Sequence, residues 1–333
     1  MKTLLCVTVF ASLAFAGEGY KIITKYKIGG EGRWDYAAVD AAARRIYVSH
    51  GSSLEVLDAD TGKLIKTIGQ LHGVHGIAIA PDLNKGFITN GQSSTITAFD
   101  LKTFEKTGEP AVGKNPDAVC YDPKTKRVIA VNHSGNDVSI IDGKSMELIK
   151  SVATGPTGEF CVVDNGKVYV NLESTSELVE IDIAKAELTR RMSLAPCEEP
   201  TGLSIDSKNK KLFPVCGNSK MAVVDIPTFK VIATPETGTG TDGGGFDPGL
   251  GLAFASNGNS ATMTIVKLVN GKYETVDQVP TTRGARTMAV DEKTHRVYLL
   301  AAEYGAPAES KDGKKGRPQV VPDTFHVLVV GKQ

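Results

Sequence analysis

Residues 44–68, "RRIYVSHGSSLEVLDADTGKLIKTI", are runs of alternating apolar and polar positions, broken by Gly-Ser and then by Asp-Thr-Gly. Alternation with a period of two predicts half-buried β-strands, and the breaks predict tight turns. The pattern returns as "KGFITNGQSSTITAFDLKTFEK" and again as "KRVIAVNHSGNDVSIIDGKSMELIK". An Asp closes an apolar run in each copy: Asp40, Asp82, Asp122, Asp164, Asp206, Asp247 and Asp291. Successive spacings are 42, 40, 42, 42, 41 and 44 residues.

Each copy predicts four strands. A small-residue strand ends at the Asp, and a second follows, such as Ile46-Tyr47-Val48 or Phe87-Ile88-Thr89. A third ends at Asp58, Asp100, Asp142, Asp182 or Asp225, and a more polar fourth closes the unit, as in Lys63 to Ile68. Four antiparallel strands every 40 to 45 residues predict an all-β, seven-bladed β-propeller. The last copy is one strand short, and Tyr20 to Ile28, "YKIITKYKI", reads like the fourth strand of other blades. It is expected to complete the last blade and close the ring, which removes exposed sheet edges. Residues 17–333 are therefore expected to form one domain.

"YVSH", "FITN", "IAVN" and "VYVN", each followed by Ser or Gly and then a Val-x-Ile/Val-Asp strand, resemble the YVTN repeat of bacterial and archaeal β-propeller proteins. The pattern weakens to "FPVC", "FASN" and "LLAA" in the last three copies. The resemblance implies a seven-bladed propeller, usually exported or surface-exposed, and no single activity.

Composition narrows the destination and the partners. Met1 to Ala16, "MKTLLCVTVFASLAFA", has one Lys, a short apolar stretch and a small-x-small ending, the pattern of a signal peptide cut before Gly17. Export to the periplasm or beyond is expected, with no membrane span, because the apolar run falls short of the roughly 20 residues a bilayer takes. Lys plus Arg and Asp plus Glu balance at 38 each, which disfavours nucleic acid as a partner. Cys120, Cys161, Cys197 and Cys216 form an even set in an oxidising compartment. None has metal-ligand spacing, and Cys197 with Cys216 and Cys120 with Cys161 are the candidate disulfides.

Candidate chemistry collects at one mouth of the channel, where loops into the innermost strands and loops between second and third strands both open. Five residues before each repeated Asp stand Asp35, Ile77, Asp117, Glu159, Thr201, Asp242 and Arg286. Asp is disfavoured in strands, so the enrichment needs a cause. One cause is a cation site of Asp35, Asp117, Glu159 and Asp242, whose oxygen ligands would favour Ca²⁺ or another divalent cation. The other is Asp acting as a turn cap, in which case no cofactor is expected. A second set ends the second strands: His50, Asn90, Asn132 with His133, Asn171, Cys216 and Asn257. His50, His133 and His75 put imidazoles on the same rim. Trp34, the single Trp, with Arg33 and Arg286 could stack on and pair with a ligand, or Trp34 could fill the gap between blades one and seven. The insertion running from Glu303 to Asp323 carries Lys311, Lys314, Lys315 and Arg317, and reads either as a lid over the mouth or as a solvated loop.

No nucleophile elbow, phosphate loop or haem-attachment motif is present. Two main functions follow. The first is a monomeric, exported binding scaffold that takes a small-molecule ligand or partner protein at its mouth. The second is a metal-dependent lactonase or other hydrolase in which the carboxylates hold a cation and His75 or His50 serves as base. An accessory role to a periplasmic redox enzyme is a third option.

Overall fold

The computed structural model describes residues 17–31, 33–309 and 315–332. The proposed signal peptide lies outside the described residues. Seven four-stranded antiparallel sheets form a β-propeller. Blade one shows the plan: Trp34–Asp40 innermost, then Arg45–His50, Ser53–Asp58 and Leu64–Ile68 outward. Blades two to six repeat that order, and blade five adds a two-residue strand, Lys220–Met221, beside its second strand. Blade seven is Thr287–Asp291, Arg296–Ala301 and His326–Gly331, with Lys21–Lys27 paired outside them. Among the described residues no helix is long and apolar enough to cross a membrane.

The repeated Asp has a local job. Asp40 accepts from the Ala43 amide at 2.8 Å, Asp122 from Thr125 at 3.1 Å and Asp206 from Asn209 at 3.0 Å. Four residues after the Asp the chain is left-handed, at Arg44, Lys126, Lys210, Gly251 and His295. Side-chain capping of the turn amides compensates for that unfavourable backbone. Blade two departs from the rule. Its inner strand, Val74–Ala80, ends two residues before Asp82, and a 3₁₀ turn, Pro81–Leu83, leads to left-handed Asn84. Ala80 is thus the equivalent of the other Asp residues, and Asp82 instead accepts the Tyr121 hydroxyl at 2.9 Å.

Each hydrophobic cluster spans two blades, which is why the unit must repeat. Ile129, Val131, Val138 and Ile140 of blade three pack with Val168, Val170, Val179 and Ile181 of blade four. Ile46 and Val48 of blade one pack with Leu300, Val327 and Val329 of blade seven, together with Tyr26 and Trp34. The inner strands approach closely where glycine allows it: a Cβ on Gly202 would stand 2.4 Å from the Gly244 nitrogen.

Both candidate cysteine pairs are disulfides. Cys120–Cys161 joins the inner strands of blades three and four, and Cys197–Cys216 ties the loop before blade five to its second strand. Disulfides of this kind point to a compartment outside the reducing cytosol. The insertion, expected as a lid or a solvated loop, contains a paired hairpin, Tyr304–Glu309 with Lys315–Val320. Lys311 and Lys314 lie outside the described residues.

Candidate functional site

The inner strand of blades one to six carries a register shift just after its first pair, for example between Trp34 and Ala37 and between Pro116 and Val119. Such bulges free the next residue from the ladder and re-aim it. The residue freed is Asp35, His75, Asp117, Glu159, Thr201 or Asp242 in blades one to six. Arg286 directly precedes the shorter inner strand of blade seven. His75 holds the blade-two position that the Asp spacing assigns to Ile77, because the 3₁₀ turn displaces Asp82 by two residues. Hydroxyl and amide groups of neighbouring strands fix the ring. Thr89 donates to the Asp117 carbonyl at 2.7 Å, Asn171 to that of Thr201 at 2.9 Å, Ser256 to that of Arg286 and Thr287 to that of Asp35.

The side chains converge. His75 Nδ1 lies 2.6 Å from Asp35 Oδ2 and 3.2 Å from Asp117 Oδ1. The Tyr36 hydroxyl reaches from blade one to donate to Asp117 Oδ2 at 3.2 Å, and its ring meets Phe160 of blade four at 5.1 Å. Arg286 contacts Asp242 at 3.2 Å and Asp35 at 3.9 Å. His133 Nδ1 lies 3.0 Å from Glu159 Oε2. Two sets of possible ligand atoms result, Asp35/His75/Asp117 and His133/Glu159/Glu173, each with its atoms within 4.8 Å of one another. The four carboxylates read from the sequence as one cation site are therefore divided: Asp35 and Asp117 share His75, Glu159 faces His133 and Glu173, and Asp242 pairs with Arg286.

Burial and like charge leave Asp117, Asp242 and Glu173 reluctant to ionise. Burial, with Glu159 and Asp35 nearby, holds the Asp117 carboxyl well above the usual carboxylate range against the pull of His75 and His133. Asp242 is pushed up to about 7 by burial, although Arg286 opposes the shift. Glu173 is raised by burial and by Glu159. The imidazoles move the other way in charge. The Glu159 hydrogen bond raises His133 to about 9. Burial works against charge on His75, but the Asp35 hydrogen bond and the field of Asp117 outweigh it and raise its pKa. The mouth thus crowds the carboxyl groups of Asp35, Asp117, Glu159, Glu173 and Asp242 around two imidazoles and one guanidinium, and an added positive charge would favour ionisation of the acids that burial and repulsion now hold back.

Other expected site residues lie elsewhere. His50 is 8% exposed, 4.8 Å from the Phe325 ring and 3.8 Å from Glu55, in the seam between blades one and seven. Trp34, also 8% exposed, stacks on Phe325 at 4.7 Å and fills that seam. Neither side chain belongs to the converging group, and Arg33 is exposed outside it. Asn90, Asn132 and Asn257 each donate to two side-chain oxygens of the following strand, which is turn bracing. Glu173 was not singled out in the sequence. It stands one residue past the second strand of blade four, as His133 does in blade three.

Fold and mouth together define a disulfide-bearing β-propeller with an acidic, imidazole-containing channel opening. The profile of the family described as "Domain of unknown function (DUF5074)" matches residues 43–213, half of the chain, and the chain belongs to that family. It is similar to antigen Lp49 of Leptospira interrogans, with 27% identity over 169 residues. That match covers 48% of this chain and 37% of the Leptospira protein, so the chain spans little more than a third of its relative. Among solved structures it is similar to hydrazine synthase of Kuenenia stuttgartiensis, with a TM-score of 0.73 and 16% identity. This likeness covers 82% of this chain and 93% of that one, and it bears on the fold alone.

Proposed function

We propose that this protein is an exported propeller that binds a divalent cation, or a ligand carrying one, at its channel mouth. One observation carries the reading: two neighbouring sets, Asp35/His75/Asp117 and His133/Glu159/Glu173, each offer one imidazole and two carboxylates. An imidazole in each set favours zinc, iron or nickel over the Ca²⁺ expected of oxygen ligands alone. A bound cation would let Asp117 and Glu173 ionise and would offset the burial and the repulsion that now raise them. Export is supported by the two disulfides, by the leader pattern of Met1 to Ala16 and by a relative described as an antigen. The YVTN-like repeats fit the same reading.

Elemental mass spectrometry of protein purified without chelator, followed by calorimetric titration with Zn²⁺, Mn²⁺ and Ca²⁺, tests it. Up to two equivalents of a transition metal are expected, with one lost in Asp117→Asn and the other in Glu173→Gln. Absence of metal together with no uptake of any of the three ions would refute the reading.

Hydrolysis is a second reading, favoured by the 2.6 Å contact between His75 and Asp35. A carboxylate that orients an imidazole is a common general-base arrangement. A bound cation would polarise an ester or lactone carbonyl there. Turnover of a lactone panel, abolished in His75→Gln, would support it; no turnover by the metal-loaded protein would leave binding as the function.

A further inference from the structure

A second group of unpaired polar side chains lies beyond Arg286, beside Tyr304. Two adjoining cavities of about 320 and 310 Å³ open where the outer strand Lys21–Lys27, the blade six–seven turn and the base of the hairpin meet. Both are walled by Lys25, Glu303 and His326, and the larger also by Thr282, Arg283 and Tyr304. His326 is 7% exposed. Its Nδ1 lies 2.7 Å from the Thr324 carbonyl oxygen, so Nδ1 carries the hydrogen. In the neutral ring Nε2 is then a bare acceptor, and it is buried with no partner. Thr282 Oγ1 is buried without a partner too. A buried polar atom left unmatched costs roughly 1–3 kcal/mol, so a cavity beside two of them calls for a group to match them.

The charges around the cavity say what that group is. Lys25 and Arg283 have no acidic partner among the described residues, and Glu303 has no basic one, whereas nearby Lys27 is satisfied by Asp323 at 2.7 Å. Among the described residues the cavity wall therefore offers two unpaired cations for an anion, with an unpaired carboxylate and the His326 acceptor for a cationic donor. Tyr304 supplies an apolar face. We propose that this cavity binds a free α-amino acid. Its carboxylate would meet Lys25 and Arg283, its ammonium would meet Glu303 and His326, and its side chain would lie along Tyr304. Charge-assisted bonds at both ends would give orientation as well as affinity.

The inference is independent of the channel reading, and its test keeps the two apart. The twenty L-amino acids are titrated singly into the mature chain by calorimetry, up to about 10 mM, beyond the weak end of specific binding. At least one is expected to bind. Its N-acetyl and its carboxamide derivatives should each bind on the order of tenfold more weakly, as each loses one charged end. Glu303→Gln and Arg283→Gln, both at exposed positions, should weaken the parent amino acid by a similar factor, and Asp117→Asn should leave it unchanged. No binding by any of the twenty would overturn the proposal. So would binding that survives in both variants, or equal binding of the capped derivatives.

Discussion

Replacing Asp242 by Asn should make the protein more stable, and only where the acid would be charged. Asp242 is held at about 7 by burial, with Asp35, Glu159 and Glu173 adding repulsion that Arg286 only partly cancels. In the unfolded chain the same carboxyl titrates near 3.8. Below that pH both states are protonated and the residue contributes nothing to the difference. Between 3.8 and about 7 the unfolded chain has released a proton that the folded chain keeps, so stability falls as pH rises. Above 7 the loss is complete. The gap corresponds to about 4 kcal/mol at 1.36 kcal/mol per pH unit. With 18% of the side chain open to solvent, about 3 kcal/mol is the better expectation. Asn keeps the shape and removes the charge, and Arg286, 52% exposed, loses little when left unpaired. Urea unfolding at pH 8 should show the variant more stable by about 3 kcal/mol. For a chain of about 300 residues that is a rise in Tm of about 4 °C. At pH 4.5 the gain should shrink below about 1 kcal/mol. A variant less stable than the parent at pH 8, or one shifted equally at both pH values, would refute this account. A destabilising acid kept at the mouth of a stable ring is the kind of local cost that function imposes.

Three further outcomes follow from the same geometry. His133 is raised from 6.5 to about 9, so the stability that it contributes is complete below pH 6.5 and disappears as pH rises through 9. About 2 kcal/mol is expected after allowing for a ring 28% exposed, and His133→Gln should flatten the Tm–pH curve across that window. Cys120→Ser with Cys161→Ser opens a loop of 41 residues between inner strands and should cost about 2–4 kcal/mol in denaturant midpoint. It should also loosen the spacing of Asp117 and Glu159, which precede those cysteines by three and two residues. Gly202→Ala would drive a methyl to 2.4 Å from the Gly244 nitrogen and 2.6 Å from the Asp242 carbonyl oxygen. Backbone atoms cannot swing away as a side chain can, so circular dichroism melts should show a loss of about 1–3 kcal/mol or more.

The propeller could be read from the chain because its defining signal is periodic, and a repeated Asp near the end of each inner strand, a turn cap in most blades, kept the period visible. Register within a blade was legible only where the Asp is the last residue of the inner strand. In blade two the Pro-Asp-Leu turn places an Asp two residues beyond the strand, so counting back from Asp82 lands on Ile77 and passes over His75. Side-chain direction was harder to read still. His50 follows Val48-Ser49 and His133 follows Val131-Asn132 near the end of a second strand, and the two look interchangeable. The ladder separates them: His50 pairs with Trp34 as the last rung, whereas Asn132 is the last rung of blade three and His133 lies one residue past it. Because alternate residues face opposite ways, one step sends His50 into the seam beside Phe325 and His133 toward Glu159. The same count finds Glu173. Leu172 is the last rung of blade four, opposite Gly158, so Glu173 takes the place of His133, and Asn171 falls one step inside, where its amide holds the Thr201 carbonyl. Aligning blades on their last rung rather than on the YVTN-like Asn would have brought His133 and Glu173 together from sequence. The mouth is built from residues that leave the ladder, and a pattern built from the ladder alone does not reach them.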